Sequence, residues 1–154
     1  MFFEFGNFCI DVDVERTKAF YKNLSKTVIE DCGCVNCRNY YQAISQVSGK
    51  VKSFFDTLGI NPQKSPEATW WVTNGDGVAY YSIIFHIVGT LVKSVDIYIP
   101  IDDNGFETIL ENYYEIDKDF KVGFTSKTVL LEKNFPQPCI QLEVDAHLPW
   151  VLDE

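Results

Sequence analysis

At Lys64-Ser65-Pro66-Glu67 the hydrophobic period of the chain changes, and this constrains the fold more than any other feature. Upstream, Tyr40, Ile44, Val47, Val51, Phe54 and Leu58 step by three or four residues, which keeps one apolar stripe on one side of a helix. Downstream, "ATWWVT" and "VAYYSIIFHIV" lead into segments that alternate. These are Val95, Ile97, Ile99 and Ile101; then Phe120, Val122 and Phe124; then Ile140, Leu142, Val144 and Ala146. Strands with one apolar and one wet face belong to antiparallel sheets, and the apolar face needs a cover. The expectation is an α+β fold, a mainly antiparallel sheet with two or three helices packed on one side.

Local signals place the elements. Phe8–Val12 reads as a short strand, after which Asp13 is placed to cap a helix carrying Phe20, Tyr21, Leu24 and Val28 on one face. The long helix through Tyr40 and Leu58 is expected to stop at Gly59, which tolerates the left-handed conformation of a C-cap, with Pro62 blocking any continuation. Gly49 falls in mid-helix, at a cost of about 1 kcal/mol relative to alanine. Asn74-Gly75-Asp76-Gly77 marks a hairpin, and Phe106, Ile109, Leu110 and Tyr113 suggest a short third helix.

A chain of 154 residues suits one domain, and no repeat or linker divides it. The start "MFFEFGNFCIDVDVE" lacks the positive charge of a secretory signal, and the longest apolar run, Gly77 to Val92, is too short for a bilayer and contains His86. A cytoplasmic protein is expected, in which five cysteines are thiols or metal ligands rather than disulfides. The net charge of −9 is segregated. From Arg16 to Lys64 eight bases face three acids, whereas from Ser94 to Asp119 eight acids face one lysine. An acidic face of that kind repels nucleic acid and anionic membrane and suits a basic protein partner.

The one segment with a recognisable chemical pattern is "DCGCVNCRNYY". Cys34 and Cys37 have the C-x-x-C spacing that lets two thiolates reach one tetrahedral ion, and Gly33 frees the backbone to bring Cys32 to it. A closed zinc site needs a fourth ligand, for which His86, His147, Cys9, Cys139 and Asp31 are the candidates. Passive thiols and a redox-active pair are the alternatives, the latter because a helix N-terminus stabilises a thiolate. His86, inside "IIFHIVG", also reads as a core histidine. "DDNGFE" departs from a calcium loop because its glycine is fourth rather than sixth, and phosphate-cradling glycine motifs are absent from the sequence. Trp70 and Trp71 are adjacent in a strand, so at most one can enter the main core, and the other hints at a binding surface.

Cys32, Cys34, Cys37, Arg38, Asn39 and Tyr40 fit a C-x-C-x-x-C-[RK]-N-[YF] pattern. They are followed by Leu58-Gly59-Ile60, by Phe85, His86 and Gly89, and by the closing Pro149-Trp150-Val151-Leu152. In this the chain resembles a family of small bacterial proteins of unassigned function, departing from it at Ser82 and Ile83, where the family has a glycine pair. The resemblance implies no activity and no residue roles.

The reading that follows is a non-catalytic binding protein, inhibitor-like or immunity-like, that meets a basic protein partner through Asp102, Asp103, Trp70 and Trp71. Cys32, Cys34, Cys37 and His86 would form a structural zinc knuckle. The alternative is a thiol- or zinc-dependent activity centred on Cys34 and Cys37.

Overall fold

The computed structural model describes residues 1–103 and 105–153, with the side chain of Asp31 outside that description. The fold is α+β and mainly antiparallel. Strands β1 (Phe2–Phe5) and β2 (Phe8–Val12) lead into α1 (Val14–Asn23), the single turn α2 (Val28–Asp31), α3 (Val35–Ala43) and α4 (Gly49–Leu58). Then come β3 (Glu67–Thr73), β4 (Val78–Lys93), β5 (Tyr98–Asp102), β6 (Gly105–Thr108), β7 (Tyr114–Asp117), β8 (Phe120–Thr125) and β9 (Cys139–Pro149). Seven strands form one sheet in the order β1-β2-β4-β9-β8-β7, with β3 also paired to β4, while β5 and β6 form a separate two-stranded sheet.

The 16-residue β4 is the spine of this sheet. On one side it pairs with β9 without interruption, from Val78 against Pro149 to Val88 against Cys139. Its other side is shared, β3 covering Ala79 to Ile84 and β2 covering Gly89 to Lys93. The stretch between them is completed by side chains. Ser65 Oγ donates to the Ile84 carbonyl at 2.7 Å, and Thr17 Oγ1 accepts from the Val88 N–H at 3.0 Å. The Tyr21 hydroxyl donates to the His86 carbonyl at 2.8 Å and accepts from the His86 N–H at 3.0 Å. A buried backbone must find partners, and here α1 stands in for the missing strand. Gly89 opens the approach of β2, because a Cβ there would lie 2.1 Å from the Asp11 carbonyl oxygen.

One face of the sheet carries Tyr81, Ile83, Phe85 and Ile87 of β4, Leu142 and Val144 of β9, and Phe120, Val122 and Phe124 of β8. Helices α3 and α4 close this face. Phe55 packs edge-on against Phe85 and Phe120, Phe5 joins Phe54 to Phe124, and Tyr40 lies against Tyr81. The opposite face is partly covered by connecting segments, with Phe135 over His86, and Ile97 and Tyr113 over Gly123.

The Asp13 cap, the left-handed Gly59 C-cap and the Asn74–Gly77 turn form as expected. Four departures are informative. The long helix is two: Ile44–Gln46 tightens into a 3-10 turn, Val47 is extended, and Ser48 caps α4, so Gly49 is a first-turn residue and not a mid-helix one. The apolar stripe survives because both pieces face the same core. The first helix stops at Asn23, and Lys64 Nζ takes the Tyr21 and Leu24 carbonyls at 2.7 and 2.6 Å; Val28 instead opens α2, capped by Thr27 and Glu30. Residues 106–113 form β6 and a 3-10 turn rather than a third helix, held by Asn112 Nδ2 on the Asp96 carbonyl and Ile109 N–H on the Ile97 carbonyl. Of the Val95–Ile101 alternation, only the part from Tyr98 is strand.

Two predictions follow from this packing. Tyr21→Phe leaves the His86 N–H and carbonyl without a partner, so it should cost about 1–3 kcal/mol and speed amide exchange at His86; unchanged exchange there would rule out the strand-substitute role. Glu143 is half-buried between Ile84 and Gly123, and desolvation raises its pKa from 4.5 to about 7. A carboxyl raised in the folded state contributes stability that is intact below about pH 4.5 and lost as pH rises through 7. Glu143→Gln should therefore raise the melting temperature at pH 8 much more than at pH 4.5, by up to about 3 kcal/mol in stability.

Candidate metal centre

The cysteine segment folds as a tight link between two helices. Cys32 is the C-cap of α2, its N–H donating to the Val28 carbonyl at 3.2 Å. Gly33 follows, and Cys34 is the N-cap of α3, its carbonyl accepting from Arg38 N–H at 3.1 Å. Cys37 lies in the first turn of α3 and is 6% exposed, part of the core, whereas Cys32 and Cys34 are exposed. The spacing brings all three to one point, with the Sγ atoms within 4.8 Å of one another. A tetrahedral zinc with bonds of about 2.3 Å sets its sulfurs about 3.8 Å apart, so side-chain rotations of about an ångström would close the cluster on an ion.

The electrostatics set Cys34 apart from Cys37. Partial burial pushes the Cys34 thiol upward, but hydrogen bonds from the Cys37 backbone, the Cys32 and Cys37 thiols and the Asn36 backbone outweigh it and leave the Cys34 thiol below its ordinary value. Cys37 moves the other way, well above the ordinary thiol range, through burial and its two sulfur neighbours. All five cysteines are free thiols. The base of the cluster is rigid. The Tyr81 hydroxyl donates to the Asn36 carbonyl at 2.7 Å, and Asn39 Nδ2 donates to the Pro149 carbonyl at 3.2 Å while its Oδ1 accepts from Val151 N–H at 2.7 Å. The first turns of α3 are thus tied to the end of β9. Sequence reasoning missed this anchor because Asn39 and Val151 are 112 positions apart.

His86, expected as the fourth ligand, lies outside this cluster. It points to the other face of the sheet, with Nε2 3.0 Å from Gln141 Oε1 and its ring against Phe135, and burial lowers its pKa. His147 is 3.8 Å from Asp119 with its ring tilted against Tyr80, Cys139 contacts Gln137, and Cys9 is half-buried on β2. Asp31's side chain falls outside the described residues. Among the described residues, no histidine or carboxylate joins the three sulfurs within that 4.8 Å limit.

The other site residues lie on two separate elements. Trp70 and Trp71 are both exposed on β3, with Trp71 at a bulge and its Nε1 on Ser82 Oγ at 2.8 Å, while Trp70 Nε1 bonds Thr73 Oγ1. Asp102 and Asp103 sit at the tip of the β5–β6 hairpin. Among the described residues, no helix is long and apolar enough to cross a membrane. Comparison with protein-family models, with curated proteins and with solved structures finds no match to the chain.

In metal-free protein, iodoacetamide should modify Cys34 at a lower pH than Cys37, as read by mass spectrometry of the digest. Modification of Cys37 first would contradict the division of the thiols.

Proposed function

We propose that the protein is a non-catalytic binding protein whose Cys32, Cys34 and Cys37 thiolates hold one zinc ion, with a fourth coordination position open to solvent. The single observation that supports this is the convergence of the three sulfurs at the junction of α2 and α3. A one-turn helix such as α2 has little stability of its own, and an ion joining its C-cap to the head of α3 would brace both. The structural role is favoured over catalysis for two reasons. Three thiolates leave the ion with a net negative site charge, which weakens its action on a bound water. His86, the natural general base in the sequence, is buried and engaged elsewhere.

Native mass spectrometry with and without a chelator tests the proposal. One zinc per chain is expected, removed by the chelator, and lost from Cys32→Ser and Cys34→Ser but retained by His86→Gln. Zinc at a hundred times its dissociation constant should add about 2.7 kcal/mol of stability. A protein that stays metal-free in excess zinc, with no change in melting temperature, would overturn it.

A further inference from the structure

Three converging sulfurs of which two face solvent are open to an oxidant as well as to a metal. Cys32 and Cys34 are exposed, whereas Cys37 is a core residue. Cys34 is the sulfur that meets both others: it receives hydrogen bonds from the Cys32 and Cys37 thiols, and from the Asn36 and Cys37 backbone at the head of α3. An oxidant arriving from solvent therefore finds Cys34 with a second sulfur already beside it. Cys37 is the better placed to complete a disulfide. Helix geometry sets the Cα atoms of residues three apart about 5 Å from one another, inside the span of roughly 4.4–6.8 Å that a disulfide bridges. Cys32 is only two residues from Cys34, across Gly33, and the ring it would close is smaller.

We infer that Cys34 and Cys37 form a peroxide-sensitive thiol pair that decides whether the site keeps its ion. The release of the ion rests on the zinc reading above; the thiol chemistry stands on the sulfur positions alone. The Cys34 thiolate attacks hydrogen peroxide and the O–O bond breaks. One oxygen stays on sulfur as a sulfenic acid, and the other leaves as hydroxide. Cys37 then attacks the Cys34 sulfur, its proton and the sulfenic hydroxyl depart as water, and a disulfide remains. The two sulfurs have given up two electrons, and peroxide has taken them. Cys32 is then the one thiolate left, too few ligands to hold zinc. Loss of the ion unfastens α2, a single turn joined to α3 through Cys32 and Gly33, while α3 keeps its Asn39 bonds to Pro149 and Val151. The state of two thiols is thereby expressed as the order of one short segment.

The test exposes zinc-loaded and metal-free protein to a few equivalents of hydrogen peroxide, followed by N-ethylmaleimide and trypsin. All three cysteines fall in one tryptic peptide, residues 27–38. In both samples that peptide should be two hydrogens lighter and carry a single alkylated cysteine, Cys32. In the loaded protein a chromogenic chelator should read one zinc released per chain, and the Cys32 amide should exchange about tenfold faster. Dithiothreitol should reverse the disulfide. In metal-free protein, Cys32→Ser should keep the disulfide, Cys34→Ser should abolish it, and Cys37→Ala should stop at a Cys34 sulfenic acid that dimedone labels. Protein that holds its zinc after peroxide, with all three thiols alkylated, would overturn the inference and leave the zinc reading standing. Protein that takes no zinc yet forms the disulfide would remove the zinc reading and bear out the thiol pair. Oxidation of Cys139, which lies beside Gln137, at the same rate as Cys34 would reduce the effect to general thiol oxidation and overturn the inference.

Discussion

The architecture depends on satisfying the backbone of one strand. β4 runs for 16 residues through the middle of the molecule, and a buried N–H or carbonyl without a partner costs more than most single contacts return. β9 meets one side in continuous register, but the other side is met by two different strands that leave a gap around His86. Closing that gap determines where α1 lies. Thr17 and Tyr21, one turn apart, place two hydroxyls along the edge, and the preceding Asp13 N–H bonds the Val88 carbonyl at 2.8 Å. A helix used in this way also removes an open edge that could template association with another chain. Tyr21 serves because its hydroxyl both gives and receives a hydrogen bond, and burial holds it in the neutral form that can do so.

The parts of this arrangement that were legible in the sequence are those whose cause is local. The change of period at Ser65, the cap at Asp13, the stop at Gly59 and the turn at Asn74–Gly77 each depend on a few adjacent residues, and each is found. The errors arise where spacing is satisfied by more than one backbone. Ile44, Val51 and Phe54 are buried on one side whether or not the chain breaks at Val47, so periodicity could not distinguish one helix from two. Residues 106–113 have helical spacing, yet contacts to Asp96 and Ile97 hold them extended and in a 3-10 turn. Those contacts are tertiary, and no local pattern announces them.

The same division runs through the candidate site. Its three sulfurs fall within six positions, so a turn between helices suffices to gather them, and the sequence pattern is itself the signal. The fourth ligand was assigned to His86 by residue type alone. Its actual partner, Gln141, lies on the neighbouring strand, 55 positions away, and also accepts the Val129 N–H at 2.8 Å. A histidine so engaged is a core residue, the alternative its apolar surroundings already suggested. Burial separates the cysteines too: Cys37 is packed in the core beneath the Asn39–Tyr81 network, while Cys32 and Cys34 lie on the surface, where packing does not account for them.

Charge segregation along the chain does not translate directly into a charge dipole of the molecule. The acidic segment includes β7, and β7 packs against α4, which belongs to the basic segment. Asp117 shows the result, its pKa lowered by hydrogen bonds from the Ser48 hydroxyl and the Lys118 N–H and by the nearby charge of Lys50. Acids at the end of β7 are thus partly neutralised by the helix beside them. The β5–β6 hairpin shares no ladder with the main sheet, and Lys127 Nζ lies 5.2 Å from its Phe106 ring. Folding therefore brings part of the acidic stretch against the basic segment, so the segregation along the chain is blunted in the structure.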